Sequence, residues 1–236
     1  MSQSLIFSNC FISIEGNIGV GKTSFLNLLN EALELPFELI PEPVAEWQNF
    51  KQAEAQNVTS NILEMFYQNP KRWAYLFQTL CFGSRVKNLL KLKNKIQDDQ
   101  SSKLFIFERS LESDREIFAQ SFHLNGFFTA AEWLLYNEYF QFMTKEFGFP
   151  MTGIIYLRAR SSVCLERCKR RARDEEIGLN LEYLEELDMR HEEWLREKGN
   201  VLVIDADENY LKDAKVRERI IGEIRSWIMK MMKMEA

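Results

Sequence analysis

Apolar residues follow two alternating rhythms along this chain. Short, largely apolar runs rich in β-branched and aromatic residues fall at 11–14, 37–40, 104–107, 153–157 and 201–204. Runs of that length, bounded by turn residues, predict strands covered on both faces. Between them, longer stretches repeat apolar positions every three or four residues, from 25 onward and then over 60–68, 71–96, 114–122, 129–147, from 161, over 181–197, and in a last stretch reaching 234. That spacing predicts helices with one face on a core. Five strands alternating with helices predict an α/β fold, a doubly wound parallel sheet flanked by helices, in one domain over 1–236.

The junctions between these elements carry the candidate chemistry. The first strand runs into Gly16-Asn17-Ile18-Gly19-Val20-Gly21-Lys22-Thr23, which fits G-x-x-x-x-G-K-[ST] without a mismatch, and a helical pattern follows at once. In such a loop backbone N–H groups turn toward phosphate oxygens, Lys22 reaches the outer phosphates, Thr23 offers its hydroxyl to Mg²⁺, and the helix points its positive end at the anion. A glycine-rich β-to-α turn that binds nothing is the alternative. The second strand ends in Pro41-Glu42-Pro43, whose prolines present Glu42 from a rigid turn where sheets of this kind bind ligands; a solvated loop acid competes with that reading. On the 71–96 helix Gln78, Cys81 and Arg85 share one stripe beside Trp73 and Phe77, suited to reading a base edge or else facing water. Residues 95–103 are polar and predict a loop. After the 104–107 strand, Glu108 and Arg109 stand at the same sheet edge, with Glu108 the candidate partner of Thr23 at the metal, or else a helix-cap contribution. Farther on, Arg167, Arg170, Arg171 and Arg173 precede three acids. Arg167 and Arg171 share a helical face, which fits cations closing over a phosphoryl group or a solvated charged helix.

Composition narrows the classes. Over 236 residues, 46% hydrophobic and 28% charged is an ordinary globular balance, and the net charge of −5 gives no general attraction to nucleic acid or anionic lipid. Cys10, Cys81, Cys164 and Cys168 show no C-x-x-C spacing and the two histidines lie far from them, which disfavours a zinc site or a disulfide framework. No apolar run reaches a membrane span. The opening Met-Ser-Gln-Ser-Leu-Ile-Phe reads neither as a secretory signal nor as a transit peptide, so a cytoplasmic protein is expected.

Taken together, Ile14-Glu15-Gly16-Asn17-Ile18, Pro41-Glu42-Pro43-Val44 with Trp47, Phe77-Gln78-Thr79, Glu108-Arg109-Ser110 with Asp114, Arg167-x-x-x-Arg171-x-Arg173 and Leu181-Glu182-Tyr183-Leu184 closely resemble the deoxynucleoside kinases related to deoxycytidine and deoxyguanosine kinases. The resemblance runs from about Phe11 to Tyr210. It implies a P-loop kinase fold with a five-stranded parallel sheet and an Arg-rich lid at about 167–178, and a deoxynucleoside 5′-kinase using ATP or another nucleoside triphosphate with Mg²⁺. By the same matching Glu42 is the general base on the 5′-hydroxyl and Arg109 holds that region. Lys22, Arg167, Arg171 and Arg173 neutralise the transferring phosphoryl group, while Thr23 and Glu108 handle Mg²⁺. Tyr67 and Glu176 hold the sugar 3′-hydroxyl, and Gln78 pairs with the base, with Val44, Trp47, Phe77, Cys81 and Phe118 around it. Glu208, Asn209 and Tyr210 line the donor's adenine.

The resemblance further implies a homodimer through the helices after the long one, and feedback inhibition by the end-product triphosphate. Arg85 and Asp114 match members that favour cytosine or purine bases. An ionised Asp accepts from an exocyclic amino group but opposes the O4 of thymine, and a buried acceptor left unpaired costs about 1–3 kcal/mol. Leu80 and Cys81 stand where an aromatic and a small residue are expected, which predicts a pocket narrower near the base. Asn209 replaces an expected acid. Two rival readings are a nucleoside monophosphate kinase, against which Glu42 at the acceptor argues, and a non-catalytic kinase-like accessory subunit, which should have lost Lys22, Glu42 or the arginines.

Overall fold

Five strands form one parallel sheet in the order β2-β5-β1-β6-β7: β1 (Cys10–Gly16), β2 (Phe37–Ile40), β5 (Leu104–Glu108), β6 (Gly153–Arg158) and β7 (Val201–Asp205). This computed structural model describes residues 9–51, 59–98 and 103–232. The opening segment, part of the polar stretch after residue 98 and the end of the last helix at 233–234 lie outside the described residues. The chain starts at the sheet's centre, runs out to β2, returns through β5, and then crosses to the far side for β6 and β7. The direction therefore reverses at β1, and the carboxyl ends of β1, β5 and β6 open the crevice where such sheets take ligands.

Burial follows position in the sheet. Every residue of β1 and β5 is buried, whereas β2 and most of β7, at the edges, are half-covered or exposed. Phe11 stacks on Phe105 at 5.4 Å between ring centroids and on Phe149 at 4.6 Å, and each buried aromatic of this kind contributes about 1.5–3 kcal/mol. The register sets Ile14 beside Glu108 and Gly16 beside Leu157, so the phosphate loop and Glu108 emerge side by side.

Eleven residues of α1 (Lys22–Ala32) carry the loop's backbone into a helix whose Phe25, Leu26, Leu28 and Leu29 are buried. The short α2 (Val44–Gln48), which periodicity does not reveal, starts directly after Pro43 and buries Trp47. Residues Phe50–Lys51 (β3) and Thr59–Ser60 (β4) pair antiparallel, so α3 begins at Ile62 instead of the predicted 60 and runs as Ile62–Gln68. Its start is fixed by Asn61, whose side-chain oxygen accepts from the Glu64 N–H at 3.0 Å. The long α4 (Pro70–Asp98) has Pro70 at its first position and continues past Ile96, which is buried, so residues 95–98 are helical where a loop is expected.

The predicted 114–122 helix is three pieces in one run: α5 (Leu111–Ser113), a π-helical turn (Asp114–Ala119) and α6 (Gln120–Leu124). Then come α7 (Ala130–Phe147), opened by a Thr129–Glu132 capping box, α8 (Ser161–Arg171), a single 3₁₀ turn (Asp174–Glu176), α9 (Leu181–Arg196) and α10 (Ala214–Met231). No helix among the described residues is long and apolar enough to cross a membrane.

The core has two main parts. One, with Ile12, Ile14, Phe25, Leu29, Cys164, Cys168 and Ile224, lies around α1, α8 and α10. The other, with Phe66, Phe77, Phe82, Phe107, Phe122 and Tyr136, gathers α3, α4 and α7. Tyr67 and Tyr183 pack against both.

Candidate active site

Three glycines of the phosphate loop have positive φ, 144° at Gly16, 78° at Gly19 and 104° at Gly21, conformations that side chains resist. A Cβ on Gly19 would stand 2.4 Å from both the Cys164 carbonyl oxygen and the Cys168 Sγ, so the loop lies directly on α8. Lys22 folds back beneath it, donating from Nζ to the Asn17 carbonyl at 2.9 Å and the Gly16 carbonyl at 3.2 Å. Burial first, and the Arg109 charge second, bring the Lys22 ammonium down to about 7 against the pull of Glu42, Glu108 and Glu15.

At the start of α1, Thr23 donates its hydroxyl to Glu108 Oε1 at 2.9 Å. No cluster of three or more His, Cys, Asp or Glu suited to a metal occurs among the described residues. A hydroxyl and one carboxylate, both hard oxygen donors, nevertheless fit Mg²⁺, which is commonly held by one or two protein ligands with substrate phosphates and water completing its shell.

Across the crevice stands a charged cluster. Glu42 accepts from Arg85 Nη2 at 2.5 Å and lies 3.5 Å from Arg109 Nε. Burial pushes the Glu42 carboxyl up, but Arg85, Arg109 and Lys22 outweigh that and hold it below the usual range, so it is ionised at neutral pH. Arg85 also donates from Nη1 to the Glu108 carbonyl at 2.8 Å. Its Nε lies 2.8 Å from Asp114 Oδ2, close as an ion contact but not aligned as a hydrogen bond, so both atoms remain without a hydrogen-bond partner. Burial raises Asp114 to about 6 against the opposing effect of Arg85.

Arg109 takes a left-handed backbone, φ 67°, with its guanidinium 4.7 Å from the Phe118 ring. Beneath it lies Glu15, fully buried, accepting from the Ser110 N–H at 2.9 Å and 4.0 Å from Arg109 Nη1. The sequence offered one signal for that carboxylate: an acid set in an apolar strand.

One cavity of about 970 Å³ joins these groups. It is lined by the phosphate loop and Glu42, by a pocket wall of Val44, Trp47, Tyr67, Phe77, Gln78, Cys81, Arg85, Asp114 and Phe118, and by Arg167, Arg171, Arg173, Glu176, Glu208, Asn209 and Tyr210. Nearly every residue singled out from the sequence is thus brought to a single space. Gly16, Asn17 and Trp73 are not, the last because it packs against the helical core. Asn17 is buried with its amide turned to the Leu184 carbonyl at 2.8 Å, so its side chain pins the loop to α9 instead of facing a ligand. Leu80 does not narrow the pocket either, because it packs into the helical core while Cys81 alone reaches the wall. The sequence reading gave no site role to Phe66, Tyr183 and Lys212, which also line the cavity; the first two look like ordinary core positions in sequence, and Arg170 of the arginine run lines it as well.

The arginine-rich segment is already paired. Arg167 donates to the Val20 carbonyl at 2.9 Å and the Ala206 carbonyl at 2.8 Å, tying the phosphate loop to the turn after β7. Arg171 and Arg173 both reach Glu176, at 2.6 Å and 2.9 Å, so these two take a carboxylate partner where Arg167 takes backbone carbonyls, and all three line the cavity. Gln78 donates to the Asp114 carbonyl at 3.0 Å and to the Tyr136 hydroxyl.

Chemically, one end of this cavity suits a polyphosphate and the other a flat, hydroxyl-bearing acceptor, with an ionised carboxylate at their meeting point. Joined to the switch-point phosphate loop, that arrangement makes the chain a P-loop kinase. Within that class it belongs to the deoxynucleoside kinases: the family model described as "Deoxynucleoside kinase" matches residues 12–229. The chain is 38% identical to "Deoxycytidine kinase 2" of Gallus gallus over 92% of this chain and 89% of that protein. It is 42% identical to "Deoxycytidine kinase" of Homo sapiens over 78% and 74%, and 35% identical to "Deoxyguanosine kinase, mitochondrial" of Xenopus laevis over 92% and 89%.

Proposed function

We propose that this deoxynucleoside kinase transfers the γ-phosphoryl group of ATP or another nucleoside triphosphate, with Mg²⁺, to the 5′-hydroxyl of deoxyadenosine, deoxycytidine or deoxyguanosine in preference to thymidine. The observation that carries the base preference is Asp114 on the pocket wall, whose buried Oδ2 is ion-paired to Arg85 yet accepts no hydrogen bond and so retains capacity for a base amino proton. Thymine would present a carbonyl oxygen to it, lone pair against lone pair.

In this reading the acceptor's 5′-oxygen bonds to the γ-phosphorus as the β–γ bridging P–O bond breaks. Glu42 accepts the hydroxyl proton, and Arg109 and Arg85 keep Glu42 ionised and oriented. Lys22, with Arg167, Arg171 and Arg173 of a lid over 167–178, offsets the charge on the transferring group. Thr23 and Glu108 would hold Mg²⁺, which would supply charge neutralisation of the phosphates. Positioning and electrostatics supply the rate, with little covalent chemistry for the protein. Tyr67 and Glu176 take the sugar 3′-hydroxyl, Gln78 the base, and Glu208 to Tyr210 the donor adenine.

The single continuous cavity further supports feedback by the cognate deoxynucleoside triphosphate, spanning acceptor pocket and phosphate loop. We place the enzyme in the cytoplasm, as one domain that dimerises through α7.

Initial rates with ATP and Mg²⁺ for the four deoxynucleosides, compared as kcat/KM, test the reading. One of the first three should lead, with thymidine trailing by about tenfold or more, the worth of one buried unpaired acceptor; thymidine leading overturns the Asp114 argument. Glu42→Gln should leave acceptor binding largely intact and lower kcat by roughly 10²–10⁴. Near-normal turnover in that variant removes Glu42 as the base.

A further inference from the structure

Glu175 takes no part in the mechanism above, yet it ties together three elements that the mechanism needs in register. Its Oε1 accepts from Asn61 Nδ2 at 2.8 Å and from Gln48 Nε2 at 2.9 Å. Gln48 is the last residue of α2, the helix that carries Trp47, and Asn61 caps α3, the helix that carries Tyr67. The Asn61 side chain is used at both ends, its oxygen holding the start of α3 and its amide holding Glu175. Glu175 itself sits in the 3₁₀ turn that packs on α3, immediately before Glu176. Glu176 in turn gathers Arg171 and Arg173. One carboxylate oxygen therefore joins the acceptor-side helices to the arginine segment.

We propose that Glu175 is a positioning residue, a latch that holds Glu176 where it meets the sugar 3′-hydroxyl and thereby sets the enzyme's demand for that hydroxyl. The proposal rests on the Glu176 assignment made above. Two neutral amide donors converging on one carboxylate are charge-assisted hydrogen bonds, stronger than neutral ones and directional. The ionised form they favour is reflected in a Glu175 carboxyl held below its ordinary value: burial raises it, and Asn61, its own backbone N–H, Gln48 and the Arg173 charge together more than offset that. Without the latch, Glu176 would remain paired to Arg171 and Arg173 but would move with them as a unit, free of α2 and α3.

The test is a comparison of two acceptors on four proteins: a 2′-deoxynucleoside and its 2′,3′-dideoxy analogue, with wild type, Glu175→Ala, Glu175→Gln and Gln48→Ala. Wild type should prefer the deoxy substrate by about 10²-fold or more in kcat/KM, because a polar pocket rejects an analogue that leaves its groups unpaired. In Glu175→Ala that ratio should fall by about tenfold, mainly through loss on the deoxy substrate, while the dideoxy analogue changes little. Glu175→Gln keeps an oxygen that accepts from the same two amides and should restore most of the ratio. Gln48→Ala should fall between. Equal losses on both acceptors in Glu175→Ala, or an unchanged ratio, overturn the latch while leaving the kinase reading standing. A wild type indifferent to the 3′-hydroxyl overturns the Glu176 assignment, and the latch falls with it.

Discussion

Lys22 occupies a poor medium for a charge. Surrounded by backbone carbonyls and buried, with Arg109 repelling it, its ammonium is down to about 7 in the ligand-free fold. An unfolded lysine titrates near about 10.4. Below about 7 both states carry the proton and the penalty on folding is full; between the two values the unfolded chain holds more protons, so this group makes the fold more stable as pH rises. A triphosphate bound against the loop reverses the balance with a further, closer negative charge, which raises the Lys22 pKa. Nucleotide binding at pH 8 should therefore take up about one proton, visible as a dependence of calorimetric heat on buffer ionisation enthalpy, and affinity should weaken as pH rises above about 7. Lys22→Met should abolish the uptake. Binding by the wild type with no proton linkage would show that the lysine is already charged in the empty site. Arg109 pays a different local cost. Its left-handed φ is of the order of 1–3 kcal/mol in strain for a residue with a Cβ, and the buried Glu15 and the aromatic face of Phe118 keep its guanidinium where Glu42 needs it.

At the scale of elements, the contact between the phosphate loop and α8 is the tightest joint in the site. Gly19→Ala would force a methyl group into the Cys164 carbonyl and the Cys168 sulfur at a φ that alanine resists. We expect it to lower stability by about 1–3 kcal/mol and to raise the nucleotide Kd by tenfold or more, measured by thermal melts with and without ATP. A variant with normal melting and normal nucleotide response would mean that α8 yields easily.

This joint also marks where sequence reading stops. The G-x-x-x-x-G-K-T spacing, the proline pair around Glu42 and the buried strand before Glu108 are local patterns, and they placed those residues well. What decides the orientation of Asn17 and Arg167 lies far away in the chain: the Leu184 carbonyl and the Ala206 carbonyl. No periodicity encodes such partners. The π-helical turn over Asp114–Ala119 escaped for a related reason, since a widened turn has the same composition as a regular helix and reflects tertiary fit. The short α2 escaped because a five-residue element following two prolines carries too little repeat to detect.

For the molecule as a whole, the proposed dimer has a specific address. Leu134, Leu135, Tyr139 and Phe142 of α7 are 67%, 44%, 48% and 57% exposed, a concentration of large apolar side chains that a monomer rarely leaves in water. Leu134→Glu combined with Phe142→Glu should convert a dimer to a monomer in analytical ultracentrifugation without changing the helical content. A wild-type monomer at micromolar concentration, or a double variant that still dimerises, would relocate or remove the interface. The cavity itself lies between two cores, one beneath the phosphate loop and the other beneath the aromatic pocket, and Tyr67 and Tyr183 are packed against both. Repacking of the aromatic core away from those two tyrosines leaves the residues beneath the phosphate loop untouched. Over generations such a scaffold can trade one acceptor for another by drift in half of its interior, inheriting its energy donor unchanged.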